Sequence, residues 1–305
     1  MHDVIVIGGS YAGMSAALQL GRGRRDVLVI DAGQRRNRFA SHSHGLLGHD
    51  GAPPEVIAAE GRAEVLAYPT VAWRDGEVDE VNAVAGGFRV RVGGDEHHAR
   101  RIVLATGVVD QLPEVPGLAQ RWGRSVFHCP YCHGYELDEG RIGVLATSPL
   151  ALHSVALVSE WSEPGGATLF LDGAFEPDAD QLAELAHREI RVERARVTAL
   201  EGDSPELRVR LADERTVSLA GLFVVPRTRI AGPFAEQLGC ELAEGPSGFF
   251  YRTDAAKQTS VPGVFACGDT AAAFGTVAIA IGDGVLAGTS AHKSLVFAGL
   301  PRRRA

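Results

Sequence analysis

Asp3-Val4-Ile5-Val6-Ile7-Gly8-Gly9-Ser10-Tyr11-Ala12-Gly13 is the stretch that decides the fold class. Its first five residues form a nearly continuous apolar run, the pattern of a strand buried on both faces of a parallel sheet. A glycine-rich turn follows, then a helical pattern from Met14 to Leu20. A second apolar strand, Val27-Leu28-Val29-Ile30, ends in Asp31. This is a βαβ unit. The glycines let the backbone approach a pyrophosphate, which would rest on the helix N-terminus. Asp31 falls where a carboxylate holds a ribose 2′-hydroxyl. Ser10 stands at the middle position of the G-x-G-x-x-G pattern, where it is small enough for close approach, with Gly9 beside it.

Outward from this unit, 305 residues suit two domains, each able to bury a core. Apolar residues make up 45% and charged residues 22%, the balance of an ordinary globular protein. The net charge of −8 argues against a nucleic-acid partner. No apolar run approaches the roughly 18 residues a membrane span needs. Met1-His2-Asp3 leads straight into a strand, so a signal peptide is not expected and a cytoplasmic location is. The basic tail Pro301-Arg302-Arg303-Arg304-Ala305 reads as a solvated terminus.

The chemistry centres on His128-Cys129-Pro130-Tyr131-Cys132-His133-Gly134. A Cys-x-x-Cys pair at a helix start can close a small disulfide. The helix N-terminus favours a thiolate there, the species that attacks disulfides and flavins. The flanking histidines titrate near neutrality and can move protons. Half of a zinc site is one alternative, but no second Cys-x-x-Cys exists, and His128 and His133 lie too close together for the usual spacing. A pair of inert buried cysteines is the other.

Between these landmarks, residues 34–51 read as a polar, glycine-spotted loop with arginines (Arg38 among them) and the histidines His42, His44 and His49. A metal site is one reading of those histidines. A loop passing a cofactor, with arginine for phosphate and His44 near a redox centre, is the preferred one. Residues 54–66 form an amphipathic helix, residues 71–84 short strands with Val81 at the end of one, and Phe88-Arg89-Val90-Arg91-Val92 a half-buried strand. Arg101 to Leu104 is a buried strand ending in Ala105-Thr106-Gly107, a second place for close backbone approach. Pro113 and Pro116-Gly117 mark a domain crossing.

A second βαβ pattern follows: a strand at 141–145, a helix at 149–161 and a strand at 167–172. Its turn, Ala146-Thr147-Ser148-Pro149-Leu150-Ala151, has no glycine, and Pro149 removes a helix N-terminal donor. Beyond the second strand, Asp172-Gly173-Ala174-Phe175-Glu176 is acidic and lacks the arginine a 2′-phosphate wants. Loss of nicotinamide binding is the expectation, and an atypical site the alternative. Near the end, Thr259-Ser260-Val261-Pro262-Gly263-Val264-Phe265-Ala266-Cys267-Gly268-Asp269 closes a short strand on Gly-Asp, where Asp269 could accept from a ribityl hydroxyl. A helix over 275–296, starting around Thr276 and Val277, presents its positive end to a flavin. Cys240 and Cys267 read as small packed residues.

In this order, the residue 8–13 turn, Ala105-Thr106-Gly107, Cys129-x-x-Cys132 and residues 259–269 resemble the low-molecular-weight thioredoxin reductases over nearly the whole chain. The resemblance implies an α/β protein of two Rossmann-like three-layer domains. The FAD domain, 1–114 and 227–305, is split by an inserted degenerate pyridine-nucleotide-type domain, 115–226, that carries the redox cysteines. Carried over, the FAD contacts are Gly8, Gly9, Ser10, Ala12, Gly13, Asp31, Arg38, His44, Val81, Ala105, Thr106, Gly107, Gly268, Asp269, Thr276 and Val277. The catalytic group is Cys129, Cys132, His133 and His128, and no metal is expected. Two departures matter: His133 stands where typical reductases have an acid–base aspartate, and the insert lacks its nucleotide-binding glycines and arginines. Both look like the flavin-dependent dithiol oxidases of the gliotoxin and holomycin type. The resemblance then implies a homodimer that oxidises a small-molecule or peptide dithiol, with electrons passing through FAD to oxygen. The alternatives are a thioredoxin reductase fed by NADPH or by a protein donor such as ferredoxin, acting on a thioredoxin-like protein, and a non-enzymatic flavin-disulfide sensor.

Overall fold

A computed structural model describes residues 1–138, 140–202 and 206–297; the basic tail at 301–305 lies outside them. In chain order the first elements are β1 (His2–Ile7), α1 (Tyr11–Arg22), β2 (Val27–Asp31), α2 (Pro54–Leu66), β3 (Val71–Asp75), β4 (Glu80–Val84), β5 (Gly87–Val92) and β6 (Asp95–Leu104). Then come β7 (Val108–Gln111), α3 (Leu118–Arg121), β8 (Val126–Phe127), α4 (Pro130–His133), β9 (Ile142–Leu145), α5 (Ala151–Val158), β10 (Thr168–Phe170), α6 (Ala179–His187) and β11 (Arg191–Glu193). The strands β12 (Val197–Glu201), β13 (Leu207–Leu211), β14 (Thr216–Leu219), β15 (Gly221–Val224) and β16 (Arg227–Ile230) follow. Last are α7 (Phe234–Leu238), β17 (Leu242–Glu244), β18 (Phe249–Tyr251), β19 (Val264–Ala266) and α8 (Val277–Val296).

The chain divides into two compact units, Met1–Arg38 with Glu55–Val109 and Thr228–Ala305, and Phe39–Pro54 with Asp110–Arg227. The loop segment Phe39–Pro54, placed by sequence with the first domain, thus packs in the second unit. In the first unit the sheet runs β3-β2-β1-β6-β5-β4, and β19 also pairs with β6. The apolar run at 3–7 is explained by its place. β1 is central, parallel to both β2 and β6, with Val4, Ile5 and Val6 fully buried. The ten residues of β6 change partners along their length. Its N-terminal half pairs antiparallel with β5, and its C-terminal half pairs parallel with β1 and β19.

One face of that sheet carries α1 packed on α8. Gly284 and Gly288 of α8 lie against Ala12, Ser15 and Ala16 of α1, so close that a Cβ on either glycine would overlap α1 backbone. The Ser15 hydroxyl donates to the Ile281 carbonyl at 2.8 Å, and the small residues are what let the two helices meet. A core of Ile5, Ile7, Leu28, Ile30, Val81, Val90, Ile102 and Leu104 fills the other face.

The second unit contains a five-stranded parallel sheet, β11-β10-β9-β15-β8, and an antiparallel ribbon, β12-β13-β14. The expected βαβ over 141–172 is present as β9-α5-β10. Its helix is shorter than the sequence suggested: α5 stops at Val158, and Ser159–Trp161 continues as a single 3₁₀ turn. No helix among the described residues is long and apolar enough to cross a membrane.

Candidate active site

In the first unit three backbone segments converge at the head of α1. Gly8 has φ +100°, and a Cβ there would overlap the Ala105 carbonyl; a Cβ on Gly13 would overlap the Gly8 carbonyl. Gly268, at φ +73°, comes within 2.8 Å of Ala12 Cβ when given a Cβ. Glycine is therefore required at Gly8 and Gly268 by both space and conformation, and at Gly13, inside α1, by space alone. The Thr106 and Thr270 hydroxyls lie 3.3 Å apart and tie the second segment to the third. Ser10 caps α1 through its backbone alone, the Met14 N–H donating to its carbonyl at 2.8 Å, so its hydroxyl leaves the first-turn N–H groups aimed outward. That is the cradle a diphosphate requires. Asp31 closes it: one carboxylate oxygen accepts the Gly9 N–H at 3.0 Å, and the second is available to a ribose hydroxyl.

Two further residues shape this cradle that sequence reading did not single out. Trp73, on β3, lies against Gly9 so tightly that a Cβ there would enter its ring. Arg36 Nη1 reaches Asp269 Oδ2 at 2.9 Å across 233 positions of sequence. Asp269, expected to meet a ribityl hydroxyl, is therefore already ion-paired. Elsewhere the expected contacts are engaged with the protein itself. The Val81 N–H donates to Gln237 Oε1 at 2.9 Å, so Val81 has only its carbonyl left for a ligand. Thr276 accepts the Ile279 N–H at 3.3 Å and caps α8, whose first residue is Val277. The Arg38 guanidinium donates to the Arg35 carbonyl at 2.7 Å. Gly107, at φ +70°, accepts the Ala231 N–H at 3.2 Å. Cys240 and Cys267 are buried, and burial raises both thiols, Cys267 to about 12.

In the second unit Cys129 and Cys132 are joined as a disulfide, with Cα atoms 5.3 Å apart. Cys129 is the N-cap of α4 and Pro130 its first residue, a position where the missing N–H costs nothing. Cys129 is 3% exposed, and Cys132 is half-buried. The two histidines differ. His128 lies beside Trp122, ring centroids 6.0 Å apart. His133 stacks on Phe127 at 4.2 Å and 19°, and both its ring nitrogens are shut off from solvent without a hydrogen-bond partner. Burial above all, then the nearby His44, lowers its pKa to about 4; the Cys129 backbone offsets a little of this without reaching hydrogen-bond geometry. His133 is therefore a neutral imidazole at physiological pH. The structure places His44 in this unit, its Nδ1 3.3 Å from Glu136 Oε1 and 3.7 Å from Asp50 Oδ1. Among the described residues no group of three or more His, Cys, Asp or Glu side chains could hold a metal ion.

The turn between β9 and α5 is closed on itself. Thr147 Oγ1 donates to the Val225 carbonyl at 2.7 Å, and the Ala151 and Leu152 N–H groups bond to the Ser148 and Pro149 carbonyls at 3.1 Å. After β10, Asp172 Oδ1 accepts the Val197 N–H at 2.8 Å. This region is not free of arginine, as the local sequence suggested. Arg196 donates to the Asp172 carbonyl and Arg194 binds Glu176 at 2.9 Å, both arriving from beyond β11. Each is paired to a local carboxylate or carbonyl.

The pyridine nucleotide-disulphide oxidoreductase family matches residues 2–158 and 166–284. The chain is 33% identical over 324 residues to "Thioredoxin reductase sirT" of Leptosphaeria maculans, covering 99% of this chain and 97% of that protein. Among solved structures, an oxidoreductase from Agrobacterium tumefaciens is 53% identical at a TM-score of 0.93, covering 97% of this chain and 99% of that one. A second, HlmI, is 38% identical at a TM-score of 0.89, covering 96% and 92%. Members of this group bind FAD, and the glycine cradle at the head of α1 fits its diphosphate. The chain belongs to the pyridine nucleotide-disulphide oxidoreductases, as a thioredoxin-reductase-like, FAD-dependent disulfide oxidoreductase.

Proposed function

We propose that the protein oxidises a dithiol, carried by a small molecule or peptide, to a disulfide, with oxygen as the final acceptor. The observation that carries this reading is the closed β9–α5 turn. The Thr147 hydroxyl and the Ala151 and Leu152 N–H groups are spent on neighbouring residues, Pro149 contributes no donor, and Arg194 and Arg196 are bound to Glu176 and Asp172. These features support a unit without a nicotinamide dinucleotide site, and with it the dithiol itself as the electron donor.

A substrate thiolate attacks Cys129, the Cys129–Cys132 bond breaks, and Cys132 leaves as a thiolate. The second substrate thiol attacks the mixed disulfide at the substrate's own sulfur; the product disulfide closes and Cys129 is released. The substrate loses two electrons and two protons, and the cysteine pair gains the two electrons. His133 is the proposed acceptor of a substrate proton; burial opposes its protonation, so this role requires that burial be relieved when the pair is uncovered for substrate. FAD, held at the glycine cradle, would supply the two-electron acceptor that reoxidises the cysteine pair, with oxygen reduced to hydrogen peroxide as the final acceptor. Cys129 is the more covered sulfur, so attack there needs the pair to become uncovered first. The residues expected to hold FAD are the glycines of the cradle with Asp31, Thr106, Arg36 and Asp269. A homodimer is part of the same proposal.

The name of the fungal relative favours a second reading, reduction of a thioredoxin-like protein disulfide. One experiment separates the two. Purified holoprotein is mixed anaerobically with a small dithiol in one sample and NADPH in another. Bleaching by the dithiol alone, with colour and peroxide returning in air, supports oxidation. Rapid bleaching by NADPH overturns the reading of residues 146–151.

A further inference from the structure

Lysine and arginine number 30 in this chain, yet none lies in residues 39–54, 125–140 or 151–166. These three stretches, all of the second unit, meet at the redox disulfide. Residues 125–140 carry the cysteines. Residues 39–54 arrive through His44, whose Nδ1 is 3.3 Å from Glu136 Oε1. Residues 151–166 arrive through Trp161, whose ring stands edge-on to Tyr131 with centroids 5.3 Å apart. The same indole lies so close to Gly134 that a Cβ there would come within 2.9 Å of it.

Aromatic rings and carboxylates stand where the cations are missing. Tyr131, between the two cysteines, is 64% exposed, and Tyr135, one helical turn further on, is 84% exposed. Glu136 follows Tyr135 on the 3₁₀ turn Tyr135–Leu137, with 40% of its side chain exposed, and Asp50 on the facing loop is more open still. Glu160 and Glu163, on either side of Trp161 in sequence, are exposed as well. Large aromatic side chains left open beside a reactive disulfide mark a surface that meets a ligand. The faces of such rings attract cations, and the carboxylates around them repel anions.

We propose that this aromatic, acid-edged face selects the substrate by charge, admitting dithiols carried on cationic or uncharged scaffolds and turning away anionic ones. Tyr131, Tyr135 and Glu136 are its specificity-determining residues. This deepens the dithiol-oxidation reading and rests on it; the bonds made and broken are those of the exchange already described.

The test uses FAD-loaded full-length protein, anaerobic flavin bleaching and two matched pairs of dithiols. Dihydrolipoate and dihydrolipoamide differ by one carboxylate charge; dithiothreitol and 2-amino-1,4-dimercaptobutane differ chiefly by one ammonium. Each rate is divided by the same dithiol's rate of reducing a small uncharged disulfide, which removes its own thiolate reactivity. Rates are taken at about pH 8, above the ordinary imidazole range, so that the carboxylates set the sign. Dihydrolipoamide should outrun dihydrolipoate, and the amine should outrun dithiothreitol, each by about threefold or more at about 0.01 M salt. Both preferences should fade at about 1 M salt, where charges are screened within about 3 Å. Glu136→Lys is expected to remove the preference within the lipoyl pair, and Glu136→Gln to narrow it; the glutamine variant carries the test if the lysine variant fails to fold. Tyr131→Ala should weaken the preference for the amine, and Tyr131→Phe should keep it. Ratios within a pair are measured on one protein, so a general loss of folded enzyme does not move them. Equal corrected rates within both pairs, a faster dihydrolipoate, or preferences that ignore both salt and Glu136→Lys overturn selection by charge. Bleaching by none of the four dithiols overturns instead the dithiol-oxidation reading on which it rests.

Discussion

Replacing His133 with phenylalanine removes a group whose protonation the fold opposes, while keeping a flat ring against Phe127. An ordinary imidazole titrates at 6.5, and burial holds this one at about 4. Below 6.5 the unfolded chain takes up a proton that the folded chain refuses until about 4. Stability from this group is therefore complete above 6.5 and falls as pH drops through that window. Between about pH 7.5 and about pH 5 the loss comes to about 2 kcal/mol, from the ratio of proton binding in the two states. For a chain of this size that is roughly 4 °C in melting temperature. The assay is thermal melting of FAD-saturated wild type and His133→Phe at both pH values, since the difference between the proteins cancels every other titrating group. Wild type should lose roughly those 4 °C more than the variant on acidification. A gap that stays constant with pH, or a His133 ring titrating near 6.5 by NMR, refutes the buried neutral imidazole.

Gly13→Ala forces a methyl into the Gly8 carbonyl and should cut bound flavin, read as absorbance at about 450 nm per protein, by at least about tenfold, or about 1.4 kcal/mol of affinity. Gly288→Val drives a side chain into the Ala16 backbone and should destabilise the first unit by about 1–3 kcal/mol in chemical unfolding. Arg36→Ala removes the partner of Asp269 and should alter FAD affinity with the fold intact, checked by flavin titration of the apoprotein alongside circular dichroism. With Cys132→Ser, the remaining Cys129 thiolate should attack the disulfide form of a substrate, release one substrate sulfur as a thiolate and hold the other as a mixed disulfide visible by mass spectrometry. If only Cys129→Ser traps it, the more exposed Cys132 is the sulfur that exchanges with substrate and the two cysteine roles are exchanged.

What was legible in the sequence is what short-range spacing encodes. The run at 3–7 with its glycine turn and Asp31 specified the first βαβ, because strand period, turn geometry and helix start are set within a few residues of one another. The Cys129–Cys132 pair and its α4 start were legible for the same reason. Contacts decided by the path of the whole chain were not. Arg36 meets Asp269, and Gln237 takes the Val81 N–H across 156 positions. Arg194 and Arg196 fold back onto Glu176 and Asp172, where the local sequence showed only acids. Spacing suggested that both histidines beside the cysteines could titrate near neutrality, but burial against Phe127 makes His133 a neutral imidazole. Residue types and local periods therefore determined that this is a dinucleotide-binding disulfide protein. Which charges are already neutralised, which sulfur is covered and which histidine neighbours His133 were decided only by the tertiary structure, because burial and ion pairing depend on residues that only the folded chain brings together.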